Sequence, residues 1–336
     1  MNPTKRNNME DTHVTHQSNS SEWDHKSTFI GVYDGHGGRD IAEFLEETLH
    51  LNIAQELNQS DEASIHERLE RAFLMTDVQS KMKHMQTSGS TVACCIIERE
   101  FIKEKQEMKI SIHAANAGDA RAVLSCRPSL LSSIHTCDGQ STNENTTHVT
   151  ESHNYQKALR LTSDHKADDP KEIERIENAG GFILRNRVLG IMAVARSLGD
   201  HGMKEYVIAK PYCKSINFLL PLASEETNNK DTSGTDIDTG TGTDLDIDTR
   251  EFVILACDGI WDVMEDWEAV DLVKLFVGGY ANNDHDANHH TNDTIVDERH
   301  ARQQRNERRN QAAKALCKEA IVRGTTDNIT ALVAWL

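Results

Sequence analysis

The chain has 336 residues, a length that suits one large domain or two small ones and is ample to bury a core. Its formal net charge of −18 argues against nucleic acid or an anionic membrane surface as a partner. No run of about 18 apolar residues occurs, so the sequence predicts no membrane-spanning helix.

The seven cysteines indicate a reducing compartment. Their number is odd, none has a CxxC spacing, and no signal peptide precedes them. We therefore expect an intracellular protein, in the cytoplasm, the nucleus or both.

Short apolar runs bounded by Gly, Asp or Asn are typical of buried strands, and they occur at 29–33, 252–256 and 329–336. After the first of these runs, apolar residues recur with helical periodicity and predict helices over 39–55 and 65–84.

Three more strands are predicted at 91–97, 109–115 and 120–125, the last two joined by a turn at 116–119. Towards the end of the chain, amphipathic periodicity predicts helices over 265–276 and 302–323.

A short helix over 170–179 has well-defined end signals. Asp169 is the expected N-cap, Pro170 occupies the first helical position, and Glu172 is expected to complete a capping box. Gly180 follows the last helical residue, where a glycine commonly ends a helix.

Three low-complexity stretches interrupt these elements, at 127–157, 224–249 and 281–293. They are rich in Ser, Thr, Asn, Asp and His and have few apolar residues. Such segments cannot bury enough apolar surface to offset the entropy of ordering, so we expect disordered surface loops.

Three aspartates, Asp34, Asp258 and Asp327, each lie at the polar end of an apolar run. A lone carboxylate at a strand end is usually a turn former. Three of them, together with Glu10 and Asp11 near the start of the chain, indicate an oxygen-only site for hard cations such as Mg²⁺ or Mn²⁺.

The glycine-rich loop that follows Asp34 has the strand–loop–helix setting of a dinucleotide site, but its charge argues against one. Asp34 and Asp40 would repel a pyrophosphate there, and the third glycine of the fingerprint is missing. The Gly35 carbonyl is better explained as a ligand for a cation.

Several stretches resemble the metal-dependent type 2C Ser/Thr protein phosphatases, in the family's order, and the chain looks most like a fungal member. The matching stretches are RNNMED, GVYDGHGG, SGSTVACC, NAGDARAVL, LTSDHKADDPKEIERIENAGG, RVLGIMAVARSLGD, LACDGIWDV and GTTDNITALVAWL. The resemblance implies an α+β fold, an α-β-β-α sandwich of two mainly antiparallel sheets flanked by helices, with metals at one edge between the sheets. It further implies one catalytic domain over 1–336, with a flap at 165–200 beside the site.

The resemblance also implies which residues hold the metals. Asp34 would bridge two divalent ions, with Asp258 and Asp327 on one of them. Glu10 and the Gly35 carbonyl would hold the other ion. The remaining implied ligands are Asp11, directly or through water, and Asp119 and Asp262 at a weaker third position.

Two further residues carry implied roles in hydrolysis of phosphoserine and phosphothreonine in proteins by metal-activated water. Arg6 matches the arginine that grips the substrate phosphate, since a guanidinium binds phosphate through two donors. His36 matches the proposed general acid, a role that histidine side chains commonly take in enzymes. Phosphoproteins are the expected partners, the expected state is a monomer, and analogy with fungal members indicates stress-kinase signalling.

Other interpretations stay open at this point. His36 could be a turn histidine, Arg6 a solvated charge, and Asp119 and Asp262 ordinary hairpin and helix-start residues. The family opens with a strand and a glycine-containing lead, whereas five residues precede Arg6 here. An inactive phosphatase-fold binding protein, an N-terminally truncated fragment and a small-molecule phosphohydrolase are therefore the alternatives.

Overall fold

Two antiparallel sheets form the centre of the protein, and helices cover their outer faces. The computed structural model describes residues 2, 5–16, 27–85, 87–131, 133–136, 149–151, 157–221, 251–278 and 294–336. The strands are β1 (Thr12–His16), β2 (Ser27–His36), β3 (Gly89–Ile102), β4 (Glu107–Ala117), β5 (Arg121–Cys126), β6 (His135–Thr136), β7 (Val149–Glu151), β8 (Lys157–Arg160), β9 (Leu198–Gly199), β10 (Tyr212–Pro221), β11 (Phe252–Ala256) and β12 (Ala331–Trp335). The helices are α1 (Asp40–Leu57), α2 (Ile65–Met82), α3 (Pro128–Leu131), α4 (Pro170–Asn178), α5 (Asp258–Trp261), α6 (Asp266–Gly278) and α7 (Thr294–Val322).

The first sheet has the strand order β1-β2-β3-β4-β10-β6, with β9 paired to β3, and the second has the order β12-β11-β5-β8-β7. Neighbouring strands pair in antiparallel fashion in both sheets. In the first sheet Asp34 of β2 lies opposite Thr91 of β3. In the second, Ala256, which is followed closely by Asp258, lies opposite Ala331 of β12. The register thus brings the polar ends of β2, β11 and β12 to one edge of the sandwich.

Strands β2 and β11 are apolar on both faces because their side chains point alternately to two different parts of the core. In β2, Phe29 and Tyr33 pack under α1 and α2, while Val32 points to the space between the sheets. In β11, Leu255 faces the space between the sheets and Ile254 faces the helices of the other layer. Successive strand residues point to opposite faces, so a strand covered on both sides reads as a continuous apolar run. The predicted α-β-β-α sandwich is confirmed.

The end signals of the helix predicted at 170–179 are confirmed in part. Asp169 caps α4 as expected, since its Oδ1 accepts from the Lys171 and Glu172 amides at 2.7 and 3.4 Å. The expected capping box is wrong, because the Glu172 carboxylate instead pairs with Arg175 and Arg196. These two guanidiniums offer the carboxylate stronger, charge-assisted bonds than a backbone amide would.

The stretch 127–157 was expected to be disordered throughout, and this expectation is wrong for part of it. It contains α3, β6 and β7, and the two short strands pair with β10 and β8 at the sheet edges. Backbone pairing with a neighbouring strand does not depend on an apolar sequence, so composition could not reveal it. The rest of that stretch, and the predicted loops at 224–249 and 281–293, lie outside the described residues.

The segment 165–200, called the flap below, packs around a small apolar core of its own. That core contains Ala167, Ile176, Val188 and Ala195, together with Val207 just beyond the flap. In the part of the chain that the structure describes, no helix is both long and apolar enough to cross a membrane.

Candidate metal centre

Carboxylates from both sheets gather at the edge where β2, β11 and β12 end. Asp34, near the end of β2, is one of them. Burial raises its pKa well above the ordinary value, and the charges of Asp258, Asp11, Asp119 and Asp327 raise it further. Charges of like sign can act on one another in this way only when they share a small volume. The strand order therefore brings together side chains that are separated by more than 300 residues of sequence.

Asp258 opens α5 and shares this environment. Burial raises its pKa to about 8, with further contributions from Asp119, Asp327 and Asp262, while Lys166 acts in the opposite direction. A carboxyl group with such a pKa is protonated at neutral pH unless a cation is present.

Two carboxylate oxygens at this edge are buried without any hydrogen-bond partner among the described residues, namely Asp11 Oδ1 and Asp258 Oδ1. The other oxygen of Asp11 accepts from the Thr330 hydroxyl at 2.7 Å. Burial raises the pKa of Asp11, and this hydrogen bond opposes the increase. Unpartnered buried oxygens are costly unless a cation or a donor meets them. The set of donors therefore fits a hard divalent cation.

The loop after β2 is built tightly against Glu10. A Cβ atom on Gly35 would lie 2.4 Å from the Glu10 carbonyl oxygen, so only glycine fits. The Gly38 amide donates to Glu10 Oε1 at 3.1 Å, which fixes the Glu10 side chain against this loop. The backbone of Glu10 therefore lies against Gly35, while Asp11 lies close enough to Asp34 for each charge to affect the other.

Asp119 and Asp262 lie on the side of the centre nearest the flap. Burial raises the pKa of Asp119 to about 6, with contributions from Asp164 and Asp262 that are opposed by Lys166. The Lys166 ammonium donates to Asp262 Oδ1 at 3.0 Å. The structure thus brings the two predicted third-position residues together, with a lysine that the sequence analysis did not consider.

Arg6 lies at the opposite side of the centre. Its Nη2 donates to Asp327 Oδ2 at 2.5 Å, and its Nε donates to the Thr326 carbonyl at 3.3 Å. Asn2 anchors the same segment by donating to the Thr325 carbonyl at 2.8 Å. Arg6 is therefore in contact with a predicted metal ligand and is not a freely solvated charge.

His36 completes the loop and has a partner that the sequence analysis missed. Its Nε2 lies 2.7 Å from Oδ2 of Asp200, at the end of the flap. The flap is therefore attached to the centre at both ends, through the Lys166–Asp262 pair and through His36–Asp200.

Cys257 was also missed, although it directly precedes Asp258. Its Sγ lies within 4.8 Å of carboxylate oxygens of Asp34 and Asp258. Burial raises the pKa of this thiol well above its ordinary value, and the nearby carboxylates add to the increase. The sulfur accepts from the Thr330 amide at 3.2 Å. The thiolate is the form that binds metals, and the raised pKa keeps Cys257 in the thiol form. Cys257 therefore lines the site, and the carboxylate oxygens are the better-suited donors.

Comparison with known proteins identifies this arrangement. The sequence model of "Protein phosphatase 2C" matches residues 2–220 and 239–329. Protein phosphatase 2C homolog 1 of Saccharomyces cerevisiae is 28% identical over 98% of this chain and 89% of its own length. The fission yeast protein of the same name is 31% identical over 81% of this chain, which spans 61% of that relative. A probable protein phosphatase 2C of rice is 30% identical over 99% of this chain and 63% of its own length.

Solved structures show the same fold at low identity. A Toxoplasma gondii phosphatase covers 98% of this chain and 89% of its own, with a TM-score of 0.60 and 20% identity. A serine-threonine phosphatase 2C from the same organism has a TM-score of 0.58 at 17% identity, over 98% of this chain and 91% of its own. The predicted likeness to fungal members is confirmed by the two yeast relatives. Together with the sandwich and its acidic edge, these matches show that the chain belongs to the protein phosphatase 2C family and is a metal-dependent protein phosphatase.

Proposed function

We propose that the protein hydrolyses phosphoserine and phosphothreonine in phosphoproteins, using two Mg²⁺ or Mn²⁺ ions held at the acidic edge. The observation that carries this proposal is the pair of buried, unpartnered oxygens of Asp11 and Asp258 inside a cluster of carboxylates. An uncharged ligand would leave the mutual repulsion of those carboxylates in place, whereas divalent cations remove it.

The donors divide between two cations as follows. Asp258 and Asp327 would hold one ion, Glu10 and the Gly35 carbonyl would hold the other, and Asp34 would contribute to both. Asp11, which the Thr330 hydroxyl orients, supports the second group. When bound, the ions supply an activated water nucleophile at neutral pH and neutralise charge on the phosphoryl oxygens. Asp119 and Asp262 are the donors for a weaker third ion.

Arg6 binds the phosphoryl group of the substrate. Its guanidinium is paired with the Asp327 carboxylate. The N–H donors of the guanidinium that Asp327 does not use would bind two oxygens of the phosphate, in the bidentate geometry that suits arginine. The charge of Arg6 thus serves binding for any phosphoryl substrate.

His36 acts as the general acid. As water adds to phosphorus, the bond from phosphorus to the serine or threonine oxygen breaks, and the imidazole gives that oxygen a proton. The products are inorganic phosphate and the free hydroxyl group, and the imidazole regains a proton from solvent. An aliphatic alkoxide is a poor leaving group, so this proton has its largest effect on phosphopeptides.

The flap selects protein substrates. It is attached to the centre at both ends and exposes three apolar side chains, Phe182 at 52%, Leu184 at 54% and Ile191 at 60%. Exposed apolar side chains beside a catalytic centre favour a protein surface as the partner over a small ester.

The setting of the enzyme is proposed on separate grounds. In the part of the chain that the structure describes, no disulfide bond joins the cysteines, which are Cys94, Cys95, Cys126, Cys213, Cys257 and Cys317. Cysteines that form no disulfide bond are typical of a reducing compartment, and we place the protein in the cytoplasm or nucleus, as a monomer. Stress-kinase pathways are proposed as its setting by analogy with fungal relatives.

The test is phosphate release from a phosphothreonine peptide by purified protein, in EDTA and after addition of millimolar Mn²⁺ or Mg²⁺. We expect no turnover in EDTA, recovery with either cation, and a preference for the peptide over p-nitrophenyl phosphate at equal concentration. Asp34→Asn should be inactive under all conditions. Preference for the small ester would favour a small-molecule phosphohydrolase, and no turnover with any cation would favour an inactive binding protein.

A further inference from the structure

The Asp200 carboxylate contacts both His36 and Ser197. Asp200 Oδ2 lies 2.7 Å from His36 Nε2 and also accepts from the Ser197 hydroxyl at 2.5 Å. The Asp200 side chain is only 10% exposed, whereas that of His36 is 31% exposed. The carboxylate is therefore the fixed partner, and the imidazole is the partner that reaches solvent and substrate.

The backbone of Asp200 is held in a conformation that non-glycine residues seldom adopt. Its φ is +47°. Three contacts hold this turn. The Asp200 amide donates to the Ser88 carbonyl at 3.0 Å, the Gly199 amide donates to Asp77 Oδ1 at 2.8 Å, and Lys204 Nζ donates to the Ser197 carbonyl at 3.0 Å. A strained residue that is fixed from several directions is typical of a functional position.

The facing strand is shaped to admit the carboxylate. A Cβ atom on Gly89 would lie 2.1 Å from Asp200 Oδ2 and 2.5 Å from Oδ1. Any side chain at this position would push the carboxylate away from His36. Strand β3, the turn after β9 and helix α2, which carries Asp77, therefore all contribute to the same contact.

From this construction we infer that Asp200 is a positioning residue for catalysis, which holds the His36 imidazole by Nε2 so that Nδ1 faces the leaving oxygen of the substrate. Among the residues that the structure describes, no hydrogen-bond partner is recorded for His36 Nδ1. One ring nitrogen fixed by a carboxylate leaves the other free for proton transfer, in the same division of roles as in a Ser-His-Asp triad. The inference rests on the proposed role of His36 as general acid.

The proton path in this arrangement is simple. Nδ1 gives its proton to the serine or threonine oxygen as the bond from that oxygen to phosphorus breaks, while the bond from Nε2–H to Asp200 is retained. The carboxylate neither gains nor loses a proton. Its contribution is the orientation of the ring, so its loss should lower kcat and leave KM unchanged.

The experiment compares Asp200→Asn with wild type on a phosphothreonine peptide and on p-nitrophenyl phosphate. Asn keeps the shape and tolerates a positive φ. We expect kcat on the peptide to fall about 10- to 100-fold with KM within about twofold, and kcat on the small ester to fall less than about threefold. Asp200→Gly, which adopts the same φ without strain, should show the same pattern and serves if the Asn variant folds poorly.

Two comparisons complete the design. Asp168→Asn, which neutralises an exposed aspartate of the same flap, serves as the control and should stay within about threefold of wild type on both substrates. The double variant His36→Ala with Asp200→Asn should be no slower than His36→Ala alone, because residues that act as a unit are not additive. The Nε2–H signal of His36 in NMR spectra should lose its hydrogen-bonded shift in Asp200→Asn.

The outcomes separate the inference from the function on which it rests. Equal losses on both substrates for Asp200→Asn, or a drop in Mn²⁺ affinity of about tenfold, would overturn the inference and make Asp200 a support for the metal loop. If His36→Ala itself loses equally on both substrates, the acid role of His36 is wrong, and the inference falls with it.

Discussion

Replacing Asp258 by Asn should make the metal-free protein more stable while abolishing its catalysis. The reason is the repulsion at the acidic edge. Burial and neighbouring carboxylates raise the pKa of Asp258 from 3.8 to about 8. At pH 7 Asp258 is therefore protonated in the folded protein and ionised in the unfolded chain. Asn has nearly the same shape and carries no charge, so it does not require that proton.

The size of the effect follows from the shift. Each pKa unit corresponds to about 1.4 kcal/mol, and between 3.8 and pH 7 the folded state is disfavoured by about 4 kcal/mol. Side-chain relaxation and water reduce this figure, and the Asn amide recovers only part of the lost interactions. We expect Asp258→Asn to gain about 2–3 kcal/mol in free energy of unfolding at pH 7 in EDTA.

The raised pKa also predicts how the stability gained by Asp258→Asn should depend on pH. The pKa of Asp258 is raised in the folded state, so the carboxyl group causes no loss of stability below the unfolded value of 3.8 and a growing loss as pH rises towards 8. The advantage of the variant should therefore be small near pH 4 and should increase up to about pH 8. Urea unfolding in EDTA at pH 4.5, 6 and 8 measures it, with the exposed Asp168→Asn as a matched control.

Saturating Mn²⁺ should reverse the order of stability, because the wild-type protein gains binding free energy that the variant cannot. A variant that is less stable than wild type in EDTA would refute the reasoning. So would a gain that is independent of pH, since repulsion between carboxylates requires their ionisation.

Three further perturbations test other parts of the structure. Gly35→Ala, whose Cβ would lie 2.4 Å from the Glu10 carbonyl oxygen, should lower Mn²⁺ affinity at least about tenfold in calorimetry. Gly202→Ala, whose Cβ meets nothing within 4 Å, should not change it. His50→Leu should reduce sensitivity to acid: burial lowers the pKa of His50 from 6.5 to about 4, so the wild-type protein loses about 2 kcal/mol between pH 6.5 and 4.5 as the unfolded chain takes up a proton. Urea unfolding at those pH values should show a clearly smaller loss in the variant, and an unchanged loss would contradict the assignment. Arg6→Ala should raise KM about tenfold for peptide and small ester alike, with kcat within about threefold; a change in kcat alone would argue against phosphate binding.

Much of the fold could be predicted because the strands and helices of each layer have recognisable patterns of apolar and capping residues. The strand around Tyr33 is apolar on both faces because it lies between helices and the second sheet, and its end is marked by Asp34 and glycines. The helix at Asp169 has a cap that can be read from a few residues. The polar ends of three such strands were enough to predict an acidic edge.

The partners within the site could not be predicted in the same way. Asp200 lies 164 residues from His36, and tertiary contacts, among them the pairing of β9 with β3, bring the two together. Lys166 reaches Asp262 across 96 residues. The short strands β6 and β7 escaped notice for a related reason, since they are stabilised by pairing at a sheet edge and not by their composition. Contacts that depend on the tertiary fold leave no local pattern.

The central claim is that the acidic edge binds two divalent cations on which hydrolysis depends. The most direct measurement is Mn²⁺ binding by calorimetry, with release of phosphate from a phosphothreonine peptide followed in the same samples. We predict two tightly bound Mn²⁺ per chain, turnover that rises only as these two bind, and loss of both tight binding and turnover in Asp34→Asn. Full turnover in excess chelator, or two Mn²⁺ bound with unchanged affinity by Asp34→Asn, would contradict the account.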